Sequence, residues 1–466
     1  MKSTPEDRSR LEAQGSRQEQ EPSTSHVPPQ AKEAFSLEPS ASSQGCLQPS
    51  ASASVRRRND CRLCGARELE PVISLGHTPL ANEFVGESQR GKPQEQFPLT
   101  VHICTVCGHV QLLDVVDPQR LFRNYVYVSS TSPVFVEHFR RYVQAMIRYA
   151  DLRPGATVIE IGSNDGTLLR FFKEAGMRVL GIDPAREIAA AATQAGIKTL
   201  PDFFDLELAK RLRVQGWEAS LISANNVFAH ADDLRTIVEG VAHLLRPDGL
   251  FVFEVSYLLD VYEKTLFDTI YHEHLSYHTV KPLVGLFERH GMELIDALRV
   301  DSHGGSLRGI AQRKGDRRAK QPSIDGLIAE EARLGLHGPA AYHRLFDQIQ
   351  QRKAELTALL GQVKQAGKRV VGFGAPAKAT TLMFAFGLGP QTFEYVIDDS
   401  PLKQGLYTPG HHVPVVPSSY LYDGAHRPDY ALILAWNFAD SIMKTHQAFR
   451  DAGGRFIVPL PNVQVY

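Results

Sequence analysis

Two groups of residues in this 466-residue chain have the types and spacing to do chemistry. The first is Cys61-x-x-Cys64 paired with Cys104-x-x-Cys107, two knuckles with 39 residues between them. Gly65 and Gly108 follow the knuckles and let the backbone turn so that its amides face the sulfurs. Four thiolates suit a closed, tetrahedral zinc site, and metal binding would organise a segment with little apolar core of its own. A redox pair would open a helix in a thioredoxin-like context, which neither knuckle does. With no open coordination position the site is structural, and the expected role is to shape one wall of a cleft. His102 and His109 are read as lying outside the metal's ligands, and Cys46 as incidental.

The second group is Tyr271–His278, YHEHLSYH. On a helix, Tyr271, His274 and His278 fall at i, i+3 and i+7 and share a face, while His272 points elsewhere. That predicts an imidazole between a phenol and a second imidazole. His274 would take a proton near neutral pH, and Tyr271 would stabilise a developing oxyanion. Glu273 faces away from His274 on such a helix, and meets substrate or His230 if the segment is irregular. A metal site and a solvated histidine-rich turn are the competing readings.

A proton acceptor needs a partner cleft, and VIEIGSNDGTLLRFF supplies one. Glu160, Gly162, Ser163, Asn164, Asp165 and Gly166 lie between a strand and a helix, where glycines allow close backbone approach and the helix start offers free amides. The pattern is E-x-G-x-x-x-G and not the G-x-G-x-x-G of a dinucleotide site. A carboxylate at the strand end suits a ligand with positive charge better than a pyrophosphate. Asp183, at the end of the next strand, is placed for ribose hydroxyls. PDFF, ending at Phe204, offers an acid and an aromatic wall, and Asn225 to His230 lie on the rim of the same cleft. Farther on, GFGAPAKATTL places Gly372, Gly374 and Lys378 between a strand and a helix, an arrangement suited to a diphosphate, with Asp398 and Asp399 at the next strand end.

These loops require strands alternating with helices. ATVIEIG, RVLGID, ASLISANNV and GLFVFEV alternate with helices starting near Thr167, Ala185 and Asp233, after a helix with Phe135, Phe139, Tyr142, Val143 and Met146 on one face. That is a doubly wound α/β sheet, completed by MELIDALRV and SLRGIAQRKG. A long helix carrying Leu345, Phe346, Ile349, Leu356, Leu359, Leu360 and Val363 leads into a second α/β alternation. The fold class is α/β: a Rossmann-like domain over residues 128–318, a cysteine module over 59–127 before it, and a second Rossmann-like domain over 319–466 after it. Residues 1–58, rich in Ser, Gln, Glu, Pro and Arg, are predicted to be a disordered tail.

The composition, 43% hydrophobic and 22% charged with a net charge of -1, excludes a broad field for nucleic acid or anionic lipid. No apolar run reaches the ~20 residues that span a bilayer and no secretory signal is evident, so a cytoplasmic enzyme is expected, as a monomer or small homo-oligomer.

The loop order and EIGSNDG resemble the class I S-adenosylmethionine (SAM)-dependent methyltransferases. The four cysteines, EIGSNDG, YHEH, SHGGSLR and VGFGAPAKATTL together resemble the nucleotide-sugar C-methyltransferases, from about residue 59 to the C-terminus. The resemblance implies that a carbon beside the ketone of a nucleotide-linked deoxyhexose is methylated, with SAM as donor and structural zinc. It places the general base at His274, supported by Tyr271, Glu273 and His230, and puts Tyr125 and Tyr127 over the donor. Lys378 and Arg308 are the expected holders of the nucleotide sugar. O- or N-methylation of a small metabolite, and a non-catalytic zinc-Rossmann binding protein, are the alternatives.

Overall fold

The structure is a computed structural model that describes residues 55–123, 128–302 and 304–466. Its centre is a seven-stranded sheet in the order 292–300, 306–313, 245–256, 219–225, 157–161, 178–182, 199–200. Five strands are parallel, and Met292–Val300 and Ser306–Arg313 add an antiparallel edge. Strand Thr157–Ile161 is buried throughout, as expected for a central strand covered on both faces by helices. Helix Pro133–Tyr149 buries Phe139, Tyr142, Val143 and Met146 of the stripe its period predicts, and Phe135 is partly buried. Ser132 caps it by accepting the Phe135 amide, and Pro sits in its first turn.

The cysteine region is an antiparallel sheet of Leu69–Thr78, Phe97–Cys104 and Val110–Leu112, and its fourth strand is Ser276–Tyr277. The end of YHEHLSYH is therefore a strand of the cysteine sheet. Val55–Arg57, inside the stretch read as tail, pairs with Asp114–Val116. Arg56, Arg57 and the following Arg58 resemble a solvated charge run, yet each meets a carboxylate: Arg56 meets Asp232, Arg57 meets Asp114, and Arg58 meets Asp60 and Asp232. The remainder of the predicted tail lies outside the described residues.

Helix Pro339–Gln365 buries Leu345, Ile349, Leu356, Leu360 and Val363 and leads to the C-terminal sheet, ordered 415–416, 396–397, 370–373, 430–433, 455–458, 464–465. All its pairings are parallel except the last. Among the described residues no helix is long and apolar enough to cross a membrane.

Candidate active site

The first cleft lies at the C-terminal ends of neighbouring strands Thr157–Ile161 and Ala219–Asn225, where an open α/β sheet holds its ligand. Gly162 has φ 69°, and a Cβ there would stand 2.1 Å from Val227 Cγ2, so only glycine brings the two loops this close. Asp183 fixes the turn: its two oxygens accept the amides of Asn164 at 2.8 Å and Ala185 at 2.9 Å. Asn164 and Asp165 in turn accept the amides of Ser129 and Ser130, which draws the start of helix Pro133–Tyr149 over the loop. Asp165 also caps the helix after Gly166 by accepting the Thr167 hydroxyl at 2.7 Å.

Around this turn, Glu160 Oε2, Ser163 Oγ and both amide atoms of Asn225 are buried without a hydrogen-bond partner. Buried polar groups are normally satisfied, so this concentration of unmet capacity fits a polar ligand. Burial pushes the Glu160 carboxyl well above its ordinary range, with Asp165 and Asp183 adding in the same direction. A ligand bearing positive charge would draw it back toward the ionised form. These residues fit SAM, whose sulfonium and ammonium groups are cationic.

Phe204 is not at the cleft mouth. It packs in the core under helix Leu234–Leu244, where a Cβ on Gly240 would come within 3.1 Å of it. Phe203 is the partly exposed ring, with the Arg123 guanidinium 5.0 Å above it. Tyr125 and Tyr127 lie outside the described residues.

The segment YHEHLSYH is a turn followed by a short strand, not a helix. Pairing of Ser276–Tyr277 with Val110–Leu112 overrides the helical spacing. His278 is consequently carried away from His274, and packs between the Phe228 and His109 rings, each 5.6 Å from it. His272 faces the cysteine sheet, 3.3 Å from the Pro98 carbonyl. His274 still lies between a phenol and an imidazole. Tyr271 is 4.1 Å away on one side, and the second imidazole is His230, edge-on at 4.9 Å. His230 comes from the rim loop after strand Ala219–Asn225, so two distant segments build the pair.

His274 Nδ1 is 2.7 Å from the Thr269 carbonyl oxygen. A carbonyl only accepts, so Nδ1 carries the proton and Nε2 keeps its lone pair. Burial lowers the His274 pKa to about 4, against the opposing effect of that hydrogen bond, so the ring is neutral at pH 7. Burial also depresses His230, and the adjacent His274 adds to the effect. Glu273, buried in the turn, accepts from the Asn82 side chain at 2.7 Å. Asn82 belongs to a cysteine-region loop and gave no signal in the sequence, nor did the Thr269 carbonyl.

The four cysteine sulfurs lie within 4.8 Å of one another, close to the about 3.8 Å spacing of a tetrahedral zinc-thiolate site. The two knuckles have matching hydrogen bonds. The Gly65 amide donates to the Cys61 carbonyl and the Gly108 amide to the Cys104 carbonyl, both at 2.8 Å. The Cys107 thiol donating to Cys61 lowers Cys61 to about 5, while burial pushes Cys64 up to about 11. A divalent cation would let all four ionise together. His109 bonds Ser276 and His102 bonds the Thr100 carbonyl, both outside the sulfur cluster.

The two expected nucleotide-sugar contacts are engaged elsewhere. Arg308 forms a buried pair with Glu254 at 2.5 Å, which also accepts from His138 at 2.7 Å. Lys378 lies 3.8 Å from Asp268 and over the Trp436 ring. Neither cation is free at a cleft mouth, because a charge buried this far needs a counter-charge. In the C-terminal loop the Ala375 amide donates to Asp398 at 2.7 Å, and Lys403 Nζ lies 3.7 Å from the same oxygen. An internal carboxylate thus takes one of the amides proposed for a diphosphate.

Residues 61–122 match a zinc binding domain family, 135–297 a methyltransferase domain family, and 301–461 the C-methyltransferase C-terminal domain family. The chain is 37% identical over 411 residues to C-methyltransferase NovU of Streptomyces niveus, covering 88% of this chain and 97% of that protein. Among solved structures, a magnesium protoporphyrin IX methyltransferase from Synechocystis PCC 6803 with bound SAH is 16% identical, with a TM-score of 0.32 over 41% of this chain and 90% of that one. A SAM-dependent methyltransferase from Clostridium acetobutylicum is 12% identical, with a TM-score of 0.32 over 39% and 92%. The matched domains in this order and the near full-length relative lead to one conclusion: the chain belongs to the C-methyltransferases, which transfer methyl from SAM to carbon, and carries their zinc-binding region.

Proposed function

We propose that the enzyme removes a proton from the carbon next to the ketone of a nucleotide-linked keto-deoxysugar and methylates the resulting enolate. The observation that carries this reading is the fixed tautomer of His274, which leaves Nε2 as a neutral acceptor beside His230. A ketone acidifies its neighbouring C–H, so a neutral imidazole suffices as base if it is held at hydrogen-bond distance. Tyr271, whose ring is 4.1 Å from that of His274, would face the developing oxyanion, and Glu273, held by Asn82, supports the turn that presents both rings. His230 is close enough to share the proton's charge, and two adjacent imidazoles resist both being protonated. SAM, when bound, supplies an electrophilic methyl group. Glu160, Asp183 and Asn225 would hold that donor, and the loop Gly162–Gly166 would close around it.

The test is mass spectrometry of products from SAM and a panel of nucleotide-linked 4-keto sugars, repeated in heavy water. Deuterium should enter the substrate carbon in the wild type. His274→Ala should keep SAM affinity and lose both exchange and methyl transfer by at least about a hundredfold. Unchanged turnover in His274→Ala, or methyl found on oxygen or nitrogen, overturns the proposal.

A further inference from the structure

The segment just before the catalytic turn is held by the C-terminal domain, residue by residue. The Phe267 ring stacks on Phe386 at 5.2 Å. Asp268, fully buried, accepts from the Trp436 indole N–H at 2.6 Å, and Lys378 Nζ lies 3.8 Å from the same oxygen and 4.6 Å from the Trp436 ring centre. The Thr381 hydroxyl donates to the Ile270 carbonyl at 2.7 Å. Of these four consecutive residues, the one left over is Thr269, and its carbonyl is the acceptor that fixes His274 Nδ1.

We infer that the C-terminal domain aims the base: Trp436 and Lys378, acting through Asp268, are positioning residues that hold the Thr269 carbonyl in register with His274. The inference rests on the reading of His274 as base. Its physical basis is that a carbonyl can select one imidazole tautomer only while its own peptide is immobile. A buried carboxylate with one donor and one cation is a strong anchor, because release would leave an unpaired charge in the interior. Contacts at three of the four residues leave the intervening peptide little freedom. The placement also gives Lys378 a partner in the segment before the catalytic turn.

The experiment uses the full-length enzyme and the variants Trp436→Phe, Lys378→Met and Lys378→Arg. Each is assayed for kcat, KM, SAM affinity, thermal midpoint and the rate of deuterium entry into substrate without turnover. Nitrogen-15 histidine NMR reports the His274 tautomer independently of substrate. Trp436→Phe and Lys378→Met should lower kcat and exchange together by about tenfold, leave SAM affinity unchanged and mix the His274 tautomers; Lys378→Arg should restore most of the rate. Wild-type exchange rates per folded enzyme with a single Nδ1–H tautomer in both variants would overturn the inference while leaving the proposed reaction intact. A wild-type enzyme that shows no exchange would overturn the reaction instead, and the tautomer measurement would still decide the positioning role.

Discussion

At the scale of single residues, Glu160 shows what the proposed donor site costs the ligand-free fold. Its folded pKa is raised by burial and by Asp165 and Asp183, so the folded state favours the protonated acid. Stability from this group is present below the unfolded value near 4.5 and falls as pH rises through it toward the folded pKa. Glu160→Gln should therefore raise the thermal midpoint of the ligand-free enzyme at pH 7 and lower SAM affinity. Calorimetry in buffers of different ionisation enthalpy should find protons released on SAM binding to the wild type and none from this site in the variant. An equal thermal midpoint with unchanged affinity would refute the assignment. Legibility at this scale was uneven. Glu160, Gly162 and Asp183 could be read because a strand, a turn and a helix follow each other locally. The imidazole beside His274 could not be read from spacing, which is helical and offers His278, while the pairing that fixes the directions comes from Val110–Leu112, far away in sequence; only the family resemblance pointed to His230.

At the scale of elements, the cysteine region reaches the proposed active site by two routes besides the Asn82–Glu273 hydrogen bond. One is the shared strand Ser276–Tyr277. The other is Arg62, inside the first knuckle with its side chain fully buried, which donates to Asp232 at 3.1 Å, two residues past His230. Arg56 and Arg58 also meet that carboxylate, which holds it well ionised against the desolvation that opposes it. Asp232→Ala should cost about 3 kcal/mol, because it strands the Arg62 guanidinium, with chemical denaturation as the check. Removing the metal with a chelator, or Cys104→Ser, should abolish methyl transfer and leave SAM binding, since the donor cleft is built from the central sheet. Retained turnover with loss of metal shown by elemental analysis would contradict this. The four cysteines announced their metal by spacing alone, whereas nothing in the sequence linked Arg62 to the His230 loop, because that ion pair spans 170 residues.

At the scale of the whole molecule, a belt of neutral imidazoles lies between the sheets. Burial lowers His272, His274 and His278 to about 4, and depresses His109 and His230 well below their ordinary value. Each folded pKa is below the unfolded value near 6.5, so the unfolded chain takes up protons the folded chain refuses. Stability should fall as pH drops from about 6.5 toward about 4, with the acids Glu160 and Asp183 pulling weakly the other way. A thermal midpoint that stays level across that window would rule the belt out as the source of acid sensitivity. The order of the α/β units was legible from alternating hydrophobic runs. How the units interlock was not, since Lys378 and Asn82 act across contacts between distant segments. The loan of Ser276–Tyr277 to the cysteine sheet has a consequence for recombination. A crossover that exchanges only the region before residue 123 between two related enzymes would give the incoming sheet a foreign edge strand and the catalytic turn a foreign frame. Functional chimeras should require residues 271–278 to travel with the cysteines, so these two stretches form one inherited unit even though most of a domain separates them in the sequence.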